Sequence, residues 1–125
     1  MRFSDQEIIA MVCFAERIAE ADGNIQKCEV RRIITELEGW NKDDYEIDEI
    51  LGIAEEMETS EAIDVISSMR RAGKRYVAAF LIVVMCADYE VDEDEERFWR
   101  LVTNFCDLPR MSYDEAIDFW KQYNN

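Results

Sequence analysis

The sequence predicts an all-α fold, a single-domain bundle of about seven helices around a buried central helix. Three observations predict it. Apolar residues recur at three- and four-residue spacing through most of the chain, the pattern of helices with one buried face. One proline and four glycines in 125 residues leave little for the tight turns of a sheet. The apolar run YVAAFLIVVMCA, Tyr76 to Ala87, has no polar face and reads as a helix covered on every side. It falls well short of the ~20 residues that a bilayer span requires, so no membrane insertion is expected. With 49% hydrophobic residues the chain can fill a core, and residues 1–125 have the size of one domain.

The elements follow in order. Ser4 and Glu7 form a capping box that opens a helix running to about Ala21, with Ile8, Val12, Ala15 and Ala19 on one face. A second helix covers about Lys27 to Glu38, with Val30, Ile33, Ile34 and Leu37 inward and Gly39 as its left-handed terminator. Asn41 is expected to cap a third helix, burying Ile47, Ile50, Leu51, Ala54 and Met57. Thr59 or Ser60 should cap a fourth, bearing Ala62, Val65, Ile66 and Met69, and Gly73 should mark the break before the apolar fifth. Asp92 or Glu93 starts the sixth, whose apolar residues are Phe98, Leu101, Val102 and Phe105. Pro109 disfavours its continuation. Ser112 and Glu115 form a second capping box for the seventh, with Tyr113, Ala116, Ile117, Trp120 and Tyr123.

A formal charge of −15 repels phosphate backbones and anionic lipid, which excludes nucleic acid and the membrane surface as partners and favours cations or a basic protein surface. Cys13, Cys28, Cys86 and Cys106 contain no CxxC pair, and the chain has no histidine, so they read as core residues rather than a zinc or redox centre. MRFSDQEII lacks the apolar stretch of a signal peptide, and the expected location is cytoplasmic.

Two segments echo each other at an offset of 66. EADGNIQKCEVR, Glu20 to Arg31, aligns with CADYEVDEDEER, Cys86 to Arg97, matching Asp22 with Asp88 and Glu29 with Glu95. The apolar stripes of the following helices match better at 68. Two pseudo-repeats, about 5–57 and 74–123, and chance convergence of two short acidic loops are both open readings.

These paired loops, ADGNIQKCE and a degenerate ADYEVDEDE, resemble those of the tellurite-resistance TerB-like family, a module also similar to one in DnaJ-like co-chaperones. The resemblance covers about helix one to helix six. It implies a helical fold around an apolar central helix, two acidic loops brought near each other, and a noncatalytic role linked to stress responses and to cation binding. Neither a J-domain nor a membrane anchor is expected in these residues. The family's acidic positions fall on Asp22, Glu29, Asp88 and Glu95. Tyr89 stands where the family prefers glycine, so a positive φ that Gly23 adopts freely would strain the second loop.

Seven carboxylates lie within Asp88 to Glu96. Neither loop is an EF-hand, because the sixth and twelfth positions are Glu93 and Trp99 counted from Asp88, and Lys27 and Ile33 counted from Asp22. A site shared by Asp22, Glu29, Asp88 and Glu95 would suit weakly bound Ca²⁺ or Mg²⁺, with no cofactor required. The competing reading gives Glu29 and Glu95 only the work of offsetting helix dipoles from the first turn. Arg70, Arg71, Lys74 and Arg75 form a basic island that either neutralises an acidic neighbour or docks an acidic segment. No histidine, phosphate loop or nucleophile elbow is present, so the expectation is not an enzyme but a protein-interaction module in a bacterial stress response, with a divalent-cation binder as the alternative. A homodimer through helix three or seven is compatible with the pattern.

Overall fold

A computed structural model describes the backbone of residues 3–21, 27–86 and 93–123 and the side chains of 3–21, 31–86 and 93–122. Within them are seven helices and no strand: α1 (Asp5–Glu20), α2 (Lys27–Gly39), α3 (Asp44–Glu56), α4 (Thr59–Ser67), α5 (Arg71–Met85), α6 (Glu93–Cys106) and α7 (Tyr113–Tyr123).

Every residue of α5 from Tyr76 to Met85 is buried, as its apolar run requires. No described helix is long and apolar enough to cross a membrane. α1 shares the centre: Ala10 to Ala15 are all buried, since α2, α3, α4, α5 and α6 surround it. The expected single buried face of α1 is therefore too narrow. Small residues at Ala10, Cys13, Ala15 and Ala19 let neighbours approach on several sides.

Both capping boxes form: Ser4 Oγ accepts from the Glu7 amide at 3.1 Å, and Ser112 Oγ from the Glu115 amide at 3.2 Å. Other boundaries move. α3 is capped by Asp43, boxed with Glu46, and Asn41 instead takes the left-handed φ of 62° that ends α2. There the Lys42 amide bonds Leu37 O and the Asn41 amide bonds Glu38 O, a Schellman motif. Gly39 is thus the last residue of α2, and not its left-handed terminator. Glu58, without a side-chain bond, occupies the N-cap of α4, where Thr59 or Ser60 was expected. Gly73 lies inside α5: a Cβ there would come within 2.7 Å of Met69 Cε, so the glycine makes room for α4's exit instead of breaking the chain.

α6 ends as α2 does. Asp107 has φ 54°, its amide bonds Asn104 O, and the Leu108 amide bonds Thr103 O. Shifted by 66 positions, Asn41 falls on Asp107, and buried Glu36 and Leu37 fall on buried Val102 and Thr103. The offset of 68 arose because Leu101 and Phe105 are apolar, yet both are exposed and belong to the outer face.

Candidate functional site

Asp22 and Asp88 lie outside the described residues, as do Gly23 and Tyr89 and the side chains of Cys28 and Glu29. What is described is the frame that holds them. Glu29 is the third residue of α2 and Glu95 the third of α6, the position from which a glutamate can serve its helix start. Glu95 is only 2% exposed, so its carboxyl faces the interior and not solvent. Residues from the end of α1 (Arg17, Glu20 and Ala21) and from the first half of α6 (Asp94, Arg97, Phe98 and Leu101) line one open cavity of about 530 Å³. The last described residue before the first acidic segment, Ala21, thus shares this cavity with the start of the helix that follows the second. Among the described residues no group of three or more acidic or cysteine side chains is placed to hold a metal.

The cations of this cavity are committed locally. Arg17 donates to Glu55 O at 2.9 Å and Met57 O at 3.1 Å, capping the open carbonyls of α3. Arg97 pairs with Glu93 and Asp94 within its own helix. One turn before the α1 end, burial and the neighbouring Glu20 and Glu55 push the Glu16 carboxyl up to about 7, and its Oε1 is buried with no hydrogen-bond partner among the described residues. Cys13 and Cys106 are buried, with thiols pushed up by desolvation, Cys106 to about 11, as inert core cysteines should be.

The basic island lies at the other end of α5. Arg70, its N-cap, makes no side-chain capping bond, and Arg70 and Arg71 are exposed. Arg75 lies over the Phe119 ring at 4.8 Å, tying α5 to α7. Among the described residues none of the four makes an ion pair; the salt bridges are formed by Lys42, Arg97 and Arg100. A cavity of about 370 Å³ opens beside Arg70, Ala72 and Gly73, with Phe3 and Met69 as apolar walls.

Residues 8–117 match the family described as Tellurite resistance protein TerB, from the first buried residue of α1 into α7. The chain belongs to the TerB family. It is similar throughout to a protein of unknown function from Porphyromonas gingivalis W83, known from a crystal structure, with 33% identity, a TM-score of 0.84, and coverage of 97% of this chain and 92% of that one. No curated protein matches the sequence.

Sequence reasoning passed over one residue of this TerB-family domain. Glu36 is 1% exposed and accepts from the Tyr76 hydroxyl on α5 and from Trp120 Nε1 on α7, the latter at 2.7 Å. Burial pushes its carboxyl above the usual range, although the two donors and Arg32 oppose the shift. Arg32 also covers the Trp120 ring at 5.2 Å, so one carboxylate joins α2, α5 and α7. The signal was present: Glu36 lies three residues after Ile33 and one before Leu37, inside the apolar stripe of α2.

Proposed function

We propose that this TerB-family domain is a noncatalytic protein-interaction module of a bacterial, cytoplasmic stress response, and that it engages an acidic segment of its partner through Arg70, Arg71 and Lys74. The observation that carries the reading is that, among the described residues, these cations make no ion pair, in a chain of net charge −15. Carboxylates are abundant, so cations retained only to neutralise the fold would be expected to hold one. Arg71 and Lys74 also stand in the first turn of α5, where the helix dipole disfavours positive charge. Arg70 and Arg71 also follow the end of α4, where the dipole favours cations, so helix electrostatics accounts for only part of the island, and an anionic partner would account for the rest. Arg75, by contrast, has its own packing task on Phe119.

The test replaces Arg71 and Lys74 with glutamine and follows both stability and the binding of a poly-glutamate peptide by fluorescence anisotropy. Unchanged stability with a loss of peptide binding that mirrors the effect of added salt supports the reading. A drop of more than about 1 kcal/mol in unfolding free energy would instead make the island a structural counter-charge.

A second reading rests on the shared cavity between the α1 end and the α6 start. In sequence Asp22 follows the α1 end and Asp88 precedes the α6 start, and carboxylates of Asp22, Glu29, Asp88 and Glu95 would chemically suit a weakly bound Ca²⁺ or Mg²⁺. Melting in EDTA and in millimolar Ca²⁺ or Mg²⁺ decides it. Equal melting temperatures would remove the cation, and a rise abolished by Asp22→Asn with Asp88→Asn would establish it.

A further inference from the structure

Thr103 is 6% exposed, and its Oγ1 is buried with no hydrogen-bond partner among the described residues. One turn earlier on α6, the indole Nε1 of Trp99 is in the same state. Buried polar groups are paired in native proteins with few exceptions, and two orphans at one spot call for a common partner. Both residues line a cavity of about 120 Å³ together with Arg100, Asn104 and Arg110. Arg100 is engaged by Glu96 one turn before it, whereas among the described residues Arg110, on the connection to α7, hydrogen-bonds only the neutral Asn104 Oδ1, at 3.5 Å.

The chemistry of these side chains is one-sided. Indole and guanidinium N–H groups can only donate, the Asn104 oxygen already accepts from Arg110 and its amide nitrogen donates, and the Thr103 hydroxyl can do either. Water could donate to Thr103 Oγ1 and to the second lone pair of Asn104 Oδ1, but it would leave the arginine without a counter-charge. An oxyanion presents acceptors alone, and its charge meets an arginine that no carboxylate pairs among the described residues. The volume suits a phosphate-sized or carboxylate group and is below the ~300 Å³ at which sites for larger metabolites begin.

We propose that this cavity binds a small oxyanion through Trp99 Nε1, Thr103 Oγ1 and the Arg110 guanidinium. None of the lining residues belongs to the basic island or to the acidic loops, and the proposal stands whether or not those readings hold.

The test titrates inorganic phosphate, sulfate and acetate into the full chain at constant ionic strength set with chloride, following the Trp99 indole N–H resonance, assigned with Trp99→Phe. A saturable shift is expected. It should weaken about tenfold or more in Arg110→Gln and in the isosteric Thr103→Val, since each removes a donor to a charged acceptor. Phosphate and sulfate binding without acetate would define a tetrahedral free anion. A response to acetate, repeated with a short peptide and lost when its C-terminus is amidated, would define a carboxylate. No saturable shift with any of the anions, or equal shifts in wild type, Arg110→Gln and Thr103→Val, overturns the proposal. Because Thr103→Val preserves shape, loss of binding with an unchanged spectrum elsewhere cannot be attributed to unfolding.

Discussion

Glu36→Ala tests whether the buried carboxylate holds α7 onto the rest of the domain. Glu36 accepts from two donors, Tyr76 Oη and Trp120 Nε1, at a position with 1% exposure. Hydrogen bonds to a charged group are worth about 1.5–3 kcal/mol each, and relief of the buried charge returns part of that, so alanine should cost about 3 kcal/mol. For a domain of this size the melting temperature would fall by roughly 10 °C. Glu36→Gln keeps one acceptor oxygen but turns an amide NH₂ toward a donor, and about half the loss is expected. The pH dependence supplies an independent sign. Burial raises the folded-state value of Glu36, so its contribution is full below the ordinary carboxylate range and is lost as pH rises through the folded value. Because glutamine does not titrate, the Glu36→Gln penalty should be larger at pH 5.5 than at pH 8, a comparison that stays above the pI of about 4.3. Urea unfolding followed by tryptophan fluorescence and circular dichroism measures both. A Glu36→Ala loss below about 0.5 kcal/mol, within the ordinary range for surface changes, or a glutamine penalty that grows with pH, would refute the argument.

Three further outcomes follow from the same geometry. Glu16 titrates near 7 when folded, so stability is lost as pH rises from the ordinary carboxylate range through 7. The full shift would correspond to about 3 kcal/mol, but Glu16 is only partly buried; after solvent screening Glu16→Gln should stabilise by about 1 kcal/mol at pH 8 and by almost nothing at pH 5, as read by urea unfolding. Arg17→Ala should cost about 1.5 kcal/mol because the Glu55 and Met57 carbonyls lose a charged donor, with faster amide exchange in the last turn of α3 as its local signature. In Gly73→Ala the new Cβ meets the terminal methyl of Met69, which can swing aside, so the helix-propensity gain of about 1 kcal/mol should be largely offset and the melting temperature nearly unchanged.

How much of this was legible in the sequence varied with the physics involved. Helix existence and both serine capping boxes were readable because they depend on spacing within a few residues. The ends of α2 and α6 were not. A left-handed residue is easily assigned to a nearby glycine, yet here Asn41 and Asp107 adopt it, polar side chains that tolerate the conformation. The inner face of α6 was misread because Leu101 and Phe105 fit an apolar stripe, while the buried positions Glu95, Val102, Thr103 and Cys106 include two polar residues. Glu36 was missed for the related reason that periodicity records apolar residues, and a buried carboxylate appears only as a gap. The polar atoms that matter most here, on Glu36, Thr103 and Trp99, all acquire their meaning from neighbours brought together by the fold.

Charge along α5 ties the functional readings together. The helix is about 22 Å long, with Arg70, Arg71 and Lys74 around its start, and the carboxylate-rich segment that begins at Asp88 follows its end in sequence. Both signs oppose the α5 dipole, which favours anions at the first turn and cations at the last. At the acidic end the conflict is eased, because Glu93, Asp94, Glu95 and Glu96 occupy the first turn of α6 and serve that helix. At the basic end Arg70 and Arg71 follow the end of α4, whose dipole favours cations, but Lys74 has no such relief, and none of the three makes an ion pair among the described residues. The acidic end therefore has a structural explanation that competes with cation binding, whereas at the basic end helix dipoles account for Arg70 and Arg71 but not for Lys74. On physical grounds, Lys74, which neither a helix dipole nor an ion pair among the described residues accounts for, is the position at which the docking proposal is tested most sharply.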